Sequence, residues 1–397
     1  MPSEFWWLWT CSLMICLGSN IGSFLALYLT VVQNRSAVYA GLMVSLFGLG
    51  KSAGSIVGGI CTDRVGRRAT VTFALTSNAI STAALAIAND TWPIALSTFL
   101  VGMTGTAAGP PIMALIGDIT SPELRSRAYS LLYWGWNMAL GIAAPSAGLL
   151  ATSGYGWIFF CDIAITLTCM AVLAIRLKSM DTYRAPHSDS RDQVTGKGGD
   201  SLASAVRNRR FISVLILALV LNMLLQQGWS TLPIHMEHQN FDASEYGIAI
   251  AVNGISIFLL QIPVSRWLEQ ANRATVLSIG MMLSGAGFGL TAYSDSLIFY
   301  AITVLIWSMG EILYAPAALA EVADLSPEHS HGRYQGLYTL SSSAAVFLGP
   351  LIGGVVLENY GSGALWGACA AIALLGTAGH RALKNPQTAA LSSDPLA

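Results

Sequence analysis

Three ionisable side chains stand inside long apolar stretches of this sequence: Lys51, Asp162 and Glu311. A charge near the centre of a membrane-length helix costs roughly 2.5–3.5 kcal/mol on insertion scales, so such residues face polar cavities and mark paths. Glu311 lies about fourteen residues into its stretch, roughly 21 Å of helix. Trp307 at i−4 and Tyr314 at i+3 put aromatic rings on its face. A carboxyl there suits proton exchange or cation binding, with a structural hydrogen bond as the alternative. Asp162 is close to one end of its stretch, where coupling and helix capping are both open. Lys51 can pair with an acid across a cavity or bind an anionic substrate. Neutral polar groups add a lining: Asn20, Tyr28, Asn222, Gln226, Gln227, Asn253 and Gln261, with Trp134, Trp136 and Trp229 beside them. Singly, each serves equally well as glue between helices; together they imply a wet central space.

A second constellation is a turn, residues 59–68, reading Gly-Ile-Cys-Thr-Asp-Arg-Val-Gly-Arg-Arg. It sits between two membrane-length apolar runs. Gly59 and Gly66 permit close approach and a tight turn. Asp63 can face a positively charged helix N-terminus. Arg64, Arg67 and Arg68 can clamp carboxylates or phosphates. The plainer reading is a short basic loop that fixes topology.

The elements that must position these groups follow from composition. Of 397 residues, 54% are hydrophobic and 10% charged, against about 25% charged in soluble domains. Runs of about 20 apolar residues read as membrane helices. Their expected places are 5–31, 38–60, 69–88, 93–117, 128–152 and 157–175, then 211–233, 244–265, 274–293, 297–320, 335–357 and 364–380. The fold class is therefore an all-α membrane protein with twelve spans. Of the 20 Lys and Arg residues, Lys51 lies in a span and Arg35 in the first loop; the other 18 fall in alternate loops and tails. Basic loops stay cytoplasmic, which puts both termini in the cytoplasm, and a bacterial inner membrane is the expected location. Asp90, Glu237, Asp242, Glu245, Asp295 and Glu358 mark the opposite side. His235 and His238 lie there too and read as a solvated loop.

Residues 176–210 are polar and read as a linker. They divide the chain into six-helix units at 1–175 and 211–380, with a tail at 381–397. The units look like one ancestral hexad twice. Asp118-Ile-Thr-Ser-Pro122-Glu123 before Arg127 matches Asp324-Leu-Ser-Pro327-Glu328 before Arg333. Arg68-Ala-Thr-Val matches Arg273-Ala-Thr-Val. A proline-bearing run follows each acidic turn: Ala144-Pro145-Ser-Ala-Gly148, and Gly349-Pro350-Leu-Ile-Gly353-Gly354. These prolines and glycines favour bends and close helix contact.

The turn at 59–68 resembles the loop between helices two and three of major facilitator superfamily (MFS) transporters. Gly349-Pro350-x-x-Gly353-Gly354 is similar to an element of the superfamily's antiporters, and Gly310-Glu311-Ile-Leu-Tyr-Ala-Pro316 resembles its tenth span. The resemblance implies two pseudo-symmetric six-helix bundles around a central site. It also implies that Asp63, with Arg64, Arg67 and Arg68, latches the halves together when the transporter faces outward. The expected function is proton-coupled export of small, partly apolar organic molecules, as in the multidrug branch, with Glu311 and then Asp162 as coupling groups. That branch carries a span-four arginine, which 100–111 lacks. Uptake or facilitated diffusion on the same fold is the alternative, and a receptor or scaffold without flux is the reading from another class. No phosphate-binding Gly-rich loop, catalytic constellation or Cys-x-x-Cys pair occurs. An enzyme, a cofactor, a metal site and a nucleic-acid partner are not expected. The expected partners are a small-molecule substrate, protons and the lipid bilayer, and the expected state is a monomer.

Overall fold

The structure is a computed structural model that describes residues 1–18, 21–177, 207–268, 271–327 and 331–383. Its elements are helical throughout. The first six crossings use α1 (Ser3–Gly18), α2 (Ile21–Leu27) with a π-turn at Tyr28–Val32, α3 (Ala37–Arg64), α4 (Arg67–Ile87), α5 (Thr91–Ala107), α6 (Gly109–Ile119), α7 (Pro122–Thr152) and α8 (Gly156–Leu177). The second six use α9 (Arg209–Ser230), a short α10 (Leu232–His238), α11 (Ala243–Leu268), α12 (Arg273–Thr291), α13 (Leu297–Leu325) and α14 (His331–Ala382). Among the described residues, ten stretches are long and apolar enough to cross a membrane. The last of these divides in two at Gly361, whose φ of 82° and ψ of 172° break α14. With α7, which has 31 residues, the crossings number twelve. In lipid the backbone must satisfy its own hydrogen bonds, which leaves the helix as the available form.

Local chemistry sets the helix ends. Ser36, Asn208, Asn272 and Ser296 cap α3, α9, α12 and α13 by accepting from the backbone N–H three residues on. Asp242 and Glu245 form a reciprocal capping box at α11, both bonds 2.8 Å. Gly66, at φ 100°, makes the turn between α3 and α4. Two expected single spans are interrupted. The first changes to a π-turn at Tyr28, and the fourth restarts at Gly109-Pro110-Pro111, where proline cannot donate to the turn before it. Residues 178–206, most of the expected linker, lie outside the described residues.

Alternation of the crossings gives the bundle an arginine-rich face (Arg64, Arg67, Arg125, Arg210, Arg273) and an acidic face (Asp90, Glu237, Asp242, Asp295, Glu358). Trp92, Trp157, Tyr293 and Tyr360 stand exposed near the acidic face, and Trp6 and Trp7 near the other. Amphipathic rings favour these two water–lipid boundaries.

The halves meet along two seams of small residues. On α3, Gly41 and Gly48 lie against Pro350, Gly354 and Val346 of α14. On α7, Gly141 lies against Gly254 and Ile255 of α11, and Gly148 against Ala243 and Ser244. Both proline-bearing repeats therefore sit at a seam: Pro145 faces Gly247, and Pro350 faces Gly41. Gly349 and Gly353 turn instead to α9, against Gln226 and Gln227. The seams are tightest toward the acidic face. There the Val38 N–H donates across the halves to Glu358 Oε2 at 2.7 Å. Phe24 of α2 also crosses, meeting Tyr246 edge-on at 5.3 Å.

A methyl on Gly254 would stand 2.6 Å from the Gly141 nitrogen, whereas Gly59 has nothing within 4 Å of such a methyl. Gly254→Val is therefore expected to cost about 1–3 kcal/mol of stability, the usual penalty for overpacking. Gly59→Ala should cost nothing. Thermal unfolding of the two variants in detergent checks the contrast.

Candidate functional site

Two ionisable side chains lie at the middle of the bundle, one from each half. Lys51 is fourteen residues from the start of α3, and Glu311 is fourteen from the start of α13. At 1.5 Å per residue both lie about 21 Å along their helices, at matching depth.

Glu311 is held by α11. The Asn253 Nδ2 group donates to Glu311 Oε2 and to Ser308 Oγ, both at 3.0 Å, and Ser308 passes its own hydrogen to the Val304 carbonyl. Asn253 and Ser308 are fully buried, while Glu311 keeps partial exposure. Two aromatic residues expected on its face go elsewhere. Trp307 is stacked on Phe288 at 5.3 Å inside the core, and the Tyr314 hydroxyl bonds His380 Nε2 at 3.0 Å. Both are buried, because α12 and the last stretch of α14 cover that side of α13. Glu311 therefore meets a polar patch of amide and hydroxyl, not an aromatic wall.

Asp162 lies on α8 against α4. Its Oδ2 accepts from the Thr82 hydroxyl at 3.0 Å, and Oδ1 approaches Gly18, where α1 stops. It is 4% exposed and its bond to Thr82 lies within the first half. Asn20 lies outside the described residues. Lys51 is exposed, with Phe47 beneath its ammonium at 5.8 Å and Cys16 of α1 as the nearby titratable group.

The neutral candidates separate into two sets. Tyr28 is buried beside Phe159 and receives a bond from Gln33. Gln227 is buried and ties α9 to the Gly349 carbonyl at 2.9 Å. Trp136 donates to Ser12 Oγ at 2.8 Å, joining α7 to α1. These three are packing groups within a half. Asn222, Gln226, Trp229 and Gln261 retain partial exposure, and Trp134 is more open, crossing to Phe258 at 5.0 Å.

At the arginine-rich face, Asp63 is exposed and has no ion-pair partner among the described residues. Arg67 pairs instead with Asp118 at the end of α6. Its counterpart is Arg273 with Asp324 at the end of α13, and Arg210 adds a pair with Glu321 at 2.9 Å. Each pair stays within one half. Sequence reasoning missed these pairings, although both acids and both arginines stood in the repeated segments. The Arg-Ala-Thr-Val match aligned Arg68 with Arg273. The structure gives that role to Arg67, which like Arg273 is the first residue of its helix.

His235 departs from the solvated loop expected for it. It is 3% exposed on α10, between Tyr300 and Trp366. Burial pushes its imidazole down to about 4; a bond to the Thr291 backbone opposes this, and His238 adds to it.

A profile of the Major Facilitator Superfamily matches residues 8–242 and 215–393. The Bacillus subtilis MFS-type transporter YttB is 26% identical over 340 residues, covering 83% of this chain and 82% of that one. The multidrug resistance protein MdtH of Yersinia enterocolitica is 27% identical over 328 residues, covering 82% and 79%. A POT family transporter solved with 5-aminolevulinic acid superposes with a TM-score of 0.78 at 14% identity, covering 97% of both chains. The nucleoside transporter NupG gives 0.76 at 15%, covering 96% and 99%.

The His235 environment carries a pH signature. Its folded-state pKa of about 4 lies below the unfolded value of about 6.5, so the unfolded chain binds the proton more readily between those limits. Stability should fall as pH drops from 6.5 toward 4, with the loss complete below the folded value. His235→Gln should flatten that part of the profile. Thermal melts of both proteins across this window make the comparison.

Proposed function

The chain belongs to the major facilitator superfamily, and on that premise we propose that it exports small, partly apolar organic molecules by proton-coupled alternating access. Glu311 carries the reading. It is a mid-depth carboxyl, partly exposed, held on one oxygen by a buried amide. Such a group can take a proton from one side and give it to the other while Asn253 keeps it in place. Asp162, engaged by Thr82 within the first half, is the secondary candidate.

The seams support the motion. Contact between the halves concentrates toward the acidic face, with Glu358 holding the first turn of α3. The ion pairs at the arginine-rich face stay within each half. We read this as the state open toward the arginine-rich face, and that face as cytoplasmic. Asp63, exposed at the end of α3, is the acid that latches the arginine-rich face when it closes in turn. The moving bodies are residues 1–175 and 211–380, joined by 176–210, in a monomer in the bacterial inner membrane. The MdtH relatives support export.

One observation favours a second reading, uptake of substrate together with a proton. Lys51 and Glu311 lie at one depth. A site holding both an anion and a proton is neutral, and so is the empty site with both side chains charged. Antiport of an anion would alternate between net charges of opposite sign, which a low-dielectric interior resists.

Proteoliposomes with an imposed pH gradient decide direction. Export drives substrate against the proton flow and uptake drives it along; absence of flux under any gradient would leave the receptor or scaffold reading. Glu311→Gln should abolish gradient-driven transport while preserving the melting profile. Pumping at the wild-type rate by that variant would remove the coupling role.

A further inference from the structure

The faces of α3 assign a role to Lys51. Leu42, Leu49, Ile56 and Ile60 are exposed and recur at helical spacing, so they form the lipid stripe. Gly50, Gly54 and Gly58 lie against α5, and Gly41, Ser45 and Gly48 form the side turned to α14. At about 100° per residue, Lys51 sits roughly 200° round from Leu49, opposite the lipid stripe and between the two packed faces. It is exposed there at mid-depth, so its ammonium enters the open space between the halves.

Among the described residues that ammonium has no acid. The carboxylates that the sequence sets inside apolar stretches, Asp162 and Glu311, are engaged by Thr82 and Asn253. Among the described residues Lys51 forms no ion pair, and Phe47 supplies only the face of an aromatic ring. A cation held at the middle of a membrane protein without a partner is a cation whose partner arrives from outside. We infer that Lys51 is the charge-recognition residue of the central space and that the transported molecule is a small organic anion, a carboxylate on an apolar body. A single ammonium is a compact point charge with rotatable donors, so it fixes the sign of the ligand and tolerates varied shapes. Phe47 beside it offers apolar surface for the body of the molecule.

The inference deepens the transport reading and rests on it, but it concerns binding and is tested apart from the direction of flux. Its test therefore uses no gradient, so that failure of proton coupling at Glu311 would leave it standing. Full-length protein in nanodiscs is titrated with three probes of one shape and different charge: benzoate, benzamide and benzylamine. Two larger carboxylates, 4-phenylbutyrate and 1-naphthoate, extend the series. Carboxylates are expected to raise the unfolding temperature of the wild type and of Lys51→Arg. Lys51→Met should bind them at least about tenfold more weakly, the loss of one charge-assisted contact, and Lys51→Gln should do the same. Benzamide and benzylamine should shift none of the four proteins. Stabilisation by benzylamine equal to that by benzoate would overturn the inference. So would a carboxylate response unchanged in both neutral variants, or none from any carboxylate in the wild type.

Discussion

Gly41 lies against the Pro350 carbonyl and Gly254 against the backbone of Gly141, and the relation between the two halves depends on how closely these backbones approach. In lipid there is no hydrophobic drive to bring helices together, so dispersion contact between small residues carries much of the association. A seam made of backbone is flat and has few interlocking side chains. It can part without repacking a core, which suits two bodies that rock against each other. The tight approach is confined to the acidic half of the bundle. Toward the other face, Gly59 on the same helix has no neighbour within 4 Å of where a methyl would stand.

That asymmetry explains the placement of polar groups. Where the seam is closed, Glu358 caps the first turn of α3. The carboxylate meets unsatisfied N–H groups and the positive end of a helix dipole. At mid-depth, Lys51 is exposed and Glu311 keeps partial exposure. Their helices reach the middle from opposite halves, and each brings a different kind of support. Glu311 is positioned by a buried amide and hydroxyl, whereas Lys51 has only an aromatic ring. One is a carboxyl fixed by its neighbours, and the other has no counter-charge among the described residues.

The arginine-rich face shows how repeated sequence becomes repeated structure. Arg67 and Arg273 each begin a helix, and each meets the acid that ends the helix two crossings' worth of chain later, Asp118 and Asp324. These partly exposed pairs add little stability individually. Their value is positional, since each ties a loop to the end of a neighbouring helix within its own half.

Apolar length and the segregation of arginines made twelve helices and two faces legible in the sequence, and the repeated segments made two related hexads legible. Hydrocarbon forces each span to be helical, and charge patterning records which loops lie together. The repeats containing Pro145 and Pro350 were legible as contact sites for the same reason: small residues at helical spacing have few other uses in lipid. Which side chains reach the central space was not legible. Trp307 and Tyr314 share a sequence neighbourhood with Glu311, yet neighbouring helices cover them and leave Glu311 partly open. His235 looked like loop and is core. A helix presents every direction in turn, and only the packing of its neighbours decides which direction becomes interior, which becomes lipid face and which opens to the path.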